Sequence, residues 1–265
     1  MLGLGLGIPH GGFVYDNGLL AVAPVGLKLW LKNDTEVTTS KWEDSSGNNN
    51  HIIQTNASNR AVLSGDVTDI GGNVHAGGLD FESSESDHYD LDTNGVASGT
   101  ISVAANSGFC IAVVVSRESD AISTIASGSN GAFQFGKTNP PHSSNSGVFT
   151  FTGELPSTTT SEFHFDTGTF GYPSPYLVLL NRTAGSSGKF TFMKNGSTLT
   201  PDVDDSVNVG TGGNTKGFNI NVIGAKEGAS DFFDGMILEL AVWNRSLTAT
   251  EIAGVNSYLQ SIHGL

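Results

Sequence analysis

Apolar and polar positions alternate along most of this chain, and the dominant period is two. In VGLKLWLKND, Leu27, Leu29 and Leu31 share one face and Trp30 takes the other, which predicts a first strand over 27–32. The run GFCIAVVVS (108–116) is dense in apolar residues and reads as the clearest central strand. ISTIAS (122–127), AFQFGK (132–137), the Phe149–Phe151 and Phe163–Phe165 alternations and YLVLLNRT (176–183) follow as further strands. GFNINVIGAKE (217–227) and MILELAVWN (236–244) complete the series. Asn195-Gly196 sits between FTFM and TLT, a two-residue hairpin signal. The stretch Asp44-Ser-Ser-Gly-Asn is by its chemistry a tight, self-hydrogen-bonded turn.

The period changes only near the end. Thr248 followed by Glu251 is a T-x-x-E capping box, with Leu247 and Ile252 placed as a hydrophobic staple. Ile252, Val255, Leu259 and Ile262 recur at helical spacing, and Gly264 offers a left-handed stop. A helix this short needs tertiary support, expected from the first and last strands. About a dozen short strands and one terminal helix predict an all-β fold of two stacked antiparallel sheets. No internal repeat or composition break divides it. Residues 1–24 are expected to form an extended arm and 25–265 one domain.

Composition narrows the function classes. The formal charge is −14, from 26 acidic and 12 basic residues. Without clustered Lys and Arg the chain lacks the footprint of a nucleic-acid or anionic-membrane partner. No stretch approaches the roughly 20 apolar residues of a membrane helix. Cys110 is the one cysteine and lies in the densest apolar run, so it reads as a small buried hydrophobe. The opening MLGLGLGIPHGGF lacks a basic region and a long apolar stretch, so no secretion signal is expected. Leu2, Leu4, Leu6 and Ile8 alternate with glycine, an arm suited to docking on a neighbouring subunit or on its own domain.

GLKLWLKNDTEVTTSKWEDSSGNNNHIIQ followed by LDFESSESDHYDL resembles the opening of a concanavalin A-like, laminin-G-type jelly roll. FFDGMILELAVWNRSLTATEIAGVNSYLQSIHGL resembles its close, and KFTFMKNGSTL resembles a hairpin common in that superfamily. The resemblance covers about residues 25–265 and implies a sandwich of two curved sheets. It implies several roles: sugar binding, adhesion, glycoside cleavage or structural packing. Modules of this kind are also similar to surface components of tailed-phage particles, a setting that the Leu-Gly arm fits.

Cleavage of glycosides needs paired carboxylates. Members with that activity carry them on one strand as E-x-D-x-E, whereas ILELAVW offers Glu239 alone, so no enzyme is expected. No G-x-S-x-G, H-E-x-x-H or CxxC pattern occurs. Calcium is the candidate cofactor, with Asp202, Asp204, Asp205, Asp231 and Asp234 as candidate oxygen ligands in loops. A sugar would need exposed rings, and Trp42, Tyr89, Tyr172 and Tyr176 lie near polar loops, while Trp30 and Trp243 read as core. The main expectation is a non-enzymatic structural or adhesive component of a phage virion surface, partnered by other virion proteins or itself. The alternatives are a calcium-dependent carbohydrate-binding module of a bacterial surface or secreted protein, which would bind surface polysaccharide, and a glycoside hydrolase.

Overall fold

The computed structural model describes residues 18–32, 37–68, 72, 74–75, 77–93, 99–119, 121–129, 131–135, 148–154, 160–166, 174–185, 190–200, 203–204 and 217–265. The first part of the chain gives α1 (Gly18–Val22), β1 (Leu27–Leu31), β2 (Val37–Thr38), β3 (Lys41–Trp42), β4 (Asn50–Ile53), β5 (Val62–Leu63), β6 (Val67–Thr68) and β7 (Val74–His75). Next come β8 (Leu79–Phe81), β9 (Tyr89–Thr93), β10 (Ile101–Val103), β11 (Phe109–Arg117), β12 (Ser123–Gly128), β13 (Gly131–Phe135), β14 (Val148–Glu154) and β15 (Thr160–Asp166). The chain closes with β16 (Tyr176–Arg182), β17 (Phe190–Lys194), β18 (Ser197–Leu199), β19 (Val203–Asp204), β20 (Phe218–Ile220), β21 (Val222–Ile223), β22 (Gly235–Trp243) and α2 (Ala249–His263).

Two antiparallel sheets dominate. The first runs β18-β17-β16-β11-β22-β8-β5, with β1 also paired to β22; the second runs β19-β15-β14-β13-β12-β21-β9-β4-β3-β2. Their facing sides meet in one core. Phe109, Ile111 and Val113 of β11 join Trp42, Ile52, Tyr89 and Phe133 from across the sandwich. Phe109 packs edge-on against Phe218 at 4.7 Å between ring centres, a geometry that adds about 0.5–1.5 kcal/mol beyond burial.

The first sheet is covered on its outer side as well. Cys110, Ala112 and Val114, the alternate positions of β11, lie in a second apolar cluster with Leu19 of α1 and with Val255 and Leu259 of α2. This explains why all nine residues of β11 are buried, and why its sequence shows no alternation. The all-β sandwich with a C-terminal helix agrees with the sequence expectation.

Three local differences have physical causes. Gly18–Val22 is a helix rather than part of an extended arm, because it docks on α2: a Cβ at Gly254 would lie 3.1 Å from Val22. Leu2, Leu4, Leu6 and Ile8 fall outside the described residues. Leu27 leaves the face of Leu29 and Leu31 and joins Trp30 in the outer cluster, since the pairing with β22 slips between Leu27 and Leu29. In α2 the last inward position is His263, fully buried, whereas Ile262 is 38% exposed.

Candidate functional site

The aromatic platform expected from the sequence is not at the surface. Trp42 is fully buried, and its indole Nε1 donates to the Lys32 carbonyl at 2.8 Å. Tyr89 is equally buried, its hydroxyl donates to the Thr39 carbonyl at 2.9 Å, and burial raises its pKa. Tyr176 faces the core edge-on to Phe135 at 6.1 Å, with Lys194 over its ring. All three stand at inward strand positions, so a sugar cannot stack on them. Tyr172 lies outside the described residues.

The candidate calcium ligands do not converge. Asp231 turns to Lys226 at 3.7 Å, while Asp234 accepts a bond from the Ser83 backbone amide at 3.1 Å. Asp202 and Asp205 lie outside the described residues, as does the side chain of Asp204. Among the described residues, no group of three or more His, Cys, Asp or Glu has the geometry to hold a metal ion. Asp234 does join a carboxylate cluster with Asp80, Glu82 and Glu118. Burial first, and then mutual repulsion, raises the pKa of the last three.

Glu239 has a structural role. A bulge in the β11–β22 ladder, where Val114 faces Glu239 and Val115 faces Ile237, turns its carboxylate to the outer side under α2. There it accepts from Trp30 Nε1 at 2.6 Å and lies 2.8 Å from His263 Nε2, with only 1% of the residue exposed. A carboxylate so enclosed has no room for a substrate.

These contacts fix α2 at its C-terminal end, where Gly264 takes the left-handed conformation (φ 65°). The other end is fixed by Asn181 of β16, whose amide accepts from Leu247 N at 2.7 Å and donates to Leu247 O at 3.3 Å. The capping box is formed, and the Glu251 carboxylate also binds Arg245 at 2.5 Å and 3.0 Å. Arg245 first, and then the Thr248 bonds, hold the Glu251 pKa at about 2.

One flank of α2 is covered by α1; the other is open. Between that open flank and the β17–β18 hairpin runs a groove of about 810 Å³. Its floor is built from Thr191, Met193 and Thr198, and its wall from Ile252, Ala253, Asn256, Ser257 and Gln260. The hairpin turn closes one end. Asn195 and Gly196 hold φ of 45° and 77°, and a side chain at Gly196 would meet Gln260 Nε2 at 2.8 Å. Among the described residues, none that lines this groove carries a charge. Sequence reasoning missed it, because the groove joins a hairpin and a helix 63 residues apart at Met193 and Asn256, and no local pattern links the two.

A sandwich of two antiparallel sheets with a helix on its outer side defines the class, a jelly-roll-like fold. The family described as the concanavalin A-like lectin/glucanases superfamily, laminin G type, matches residues 90–253, more than half of the chain, and the chain belongs to it. No curated protein matches by sequence. Among solved structures, the botulinum neurotoxin serotype D binding domain is similar at TM-score 0.51 and 12% identity, over 92% of this chain and 53% of that one. A receptor binding domain is similar at 0.52 and 15%, over 92% and 53%. A third structure concerns botulinum neurotoxin type C, whose cell entry depends on interaction with two ganglioside molecules; it is similar at 0.50 and 14%, again over 92% and 53%. At these identities the likeness is one of fold, and this chain spans about half the length of those proteins. Among the described residues, no helix is long and apolar enough to cross a membrane.

Proposed function

We propose that this protein is a non-catalytic carbohydrate-binding module acting at a cell or particle surface. The observation that carries this is the groove beside α2, an open, uncharged trough of amides and hydroxyls on a lectin-type sandwich. Small-ligand sites combine apolar surface with a few placed polar groups, and Met193 and Ile252 supply the first while Asn195, Asn256, Ser257 and Gln260 supply the second. Relatives of the same fold named as receptor-binding or ganglioside-dependent support the ligand class. The buried state of Glu239 argues against glycoside cleavage by that residue.

The test is an oligosaccharide and polysaccharide array probed with the full chain, with and without chelator. Binding that survives the chelator is expected; silence on a broad array overturns the reading. The virion-surface role rests on the Leu-Gly arm, which lies outside the described residues, and two of the relatives described above are named as binding domains. It remains a narrower reading, tested by whether deletion of residues 1–12 abolishes incorporation into a particle.

A further inference from the structure

We infer that the groove beside α2 selects uncharged glycans over sialylated or other anionic ones, and that Asn256 reads a hydroxyl of the bound sugar. This rests on the carbohydrate reading above and adds to it a place and a selectivity.

The first observation is the charge around the groove. Among the described residues, no lining residue is ionised, and Lys194, Arg182 and Arg245 are directed elsewhere. Lys194 projects from the opposite face of β17, over the Tyr176 ring at 5.4 Å. Arg182 lies over the Phe190 ring at 5.8 Å, and Arg245 is held by Glu251. An anionic sugar entering the groove would give up water without gaining a cation, and the chain's charge of −14 opposes it further.

The second observation is Asn256. It lines the groove and is only 6% exposed; its Nδ2 donates weakly to Met193 Sδ at 3.6 Å, and its Oδ1 has no partner. Turned toward the groove, this unpartnered carbonyl oxygen favours a ligand that brings an O–H donor. A sugar hydroxyl does so; a carboxylate at neutral pH does not. Asn195 complements it: its Oδ1 is taken by Leu177 N at 2.7 Å, which leaves its Nδ2 as a donor at the far rim. A ligand that both donates and accepts along one edge fits this pair.

The experiment compares matched oligosaccharides on an array, ending in galactose, glucose or mannose, with the same chains capped by sialic acid. Calorimetry on the strongest neutral binder follows. Asn256→Leu keeps the branched side-chain shape and removes the acceptor, and Ala253→Trp fills the groove from an exposed position. The expected result is binding of neutral chains at least tenfold stronger than of their sialylated counterparts. Both variants should weaken that binding tenfold or more without lowering the unfolding temperature. Preference for sialylated chains, equal binding of both, or neutral binding unchanged in Ala253→Trp overturns the inference and leaves the carbohydrate reading standing. Absence of any glycan binding overturns both.

Discussion

Replacing Glu239 by alanine tests how the C-terminal helix is held to the sheet. The substitution removes the acceptor of the Trp30 indole (2.6 Å) and the Nε2 partner of His263 (2.8 Å), at residues that are 3% and 0% exposed. Water cannot take the place of the carboxylate without opening the outer cluster. Removing one member of a buried polar pair costs about 3–5 kcal/mol. For a chain of this size that corresponds to a fall of roughly 10 °C in unfolding temperature. Glu239→Gln keeps an oxygen for Trp30 and sets an amide opposite His263, so its cost should be only about 1 kcal/mol. The assay is urea unfolding followed by tryptophan fluorescence and far-ultraviolet circular dichroism, because Trp30 reports the network and the backbone signal reports the whole fold. A cycle with His263→Ala should give a coupling of more than about 1 kcal/mol. A loss below about 1 kcal/mol for Glu239→Ala would refute the view that this network pins α2. Equal losses for alanine and glutamine would refute the hydrogen-bond geometry as its source.

Three further predictions concern stability. Glu251, with its pKa lowered from the ordinary 4.5 to about 2, contributes stability that is present above pH 4.5 and lost as pH falls toward 2. Thr248→Ala should remove about 1 kcal/mol of capping energy, and Arg245→Ala should flatten the acid limb of a pH–stability curve. The raised pKa values of Asp80, Glu82 and Glu118 act in the opposite sense: stability is lost as pH rises through their titration. Asp80→Asn should therefore raise the urea midpoint at pH 7, and an unchanged or lower midpoint would count against the repulsion. Gly18→Ala should destabilise the α1–α2 contact, since Gly18 has φ 43° and a Cβ there would meet the Trp30 ring at 2.5 Å. Faster amide exchange in both helices would show it, and wild-type exchange would contradict it.

The period-two and helical patterns were enough to locate most strands, the Asn195-Gly196 hairpin and the capped helix, because backbone direction is set locally. The turn at Asp44 also behaves as its chemistry dictates: its carboxylate accepts from Trp30 N, Ser46 N and Asn50 N at 2.8–2.9 Å. Pattern says which way a side chain points, but not what covers it. Trp42, Tyr89 and Tyr176 flank polar loops in the sequence, yet their own positions face inward. Exposure cannot be judged from neighbours in the chain when the opposing sheet supplies the cover. The bulge that turns Glu239 outward is likewise invisible in ILELAVW, because it depends on a register shift against β11.

Asn181, Glu239, Asn256 and His263 are buried polar residues where the outer cluster of the first sheet is mostly apolar. A polar group in such a place is tolerated when another group satisfies it. Glu239 pairs with His263 Nε2, and together with Trp30 they account for how α2 ends. Asn256 has only a sulfur for its amide and nothing for its oxygen, although an apolar side chain of similar branched shape would avoid that penalty. It lines the groove together with Asn181, whose amide is satisfied at both ends by Leu247. The position that stability alone would assign to an apolar residue is thus one that lines the proposed groove. This places the candidate site between the helix and the hairpin rather than at the loop aromatics.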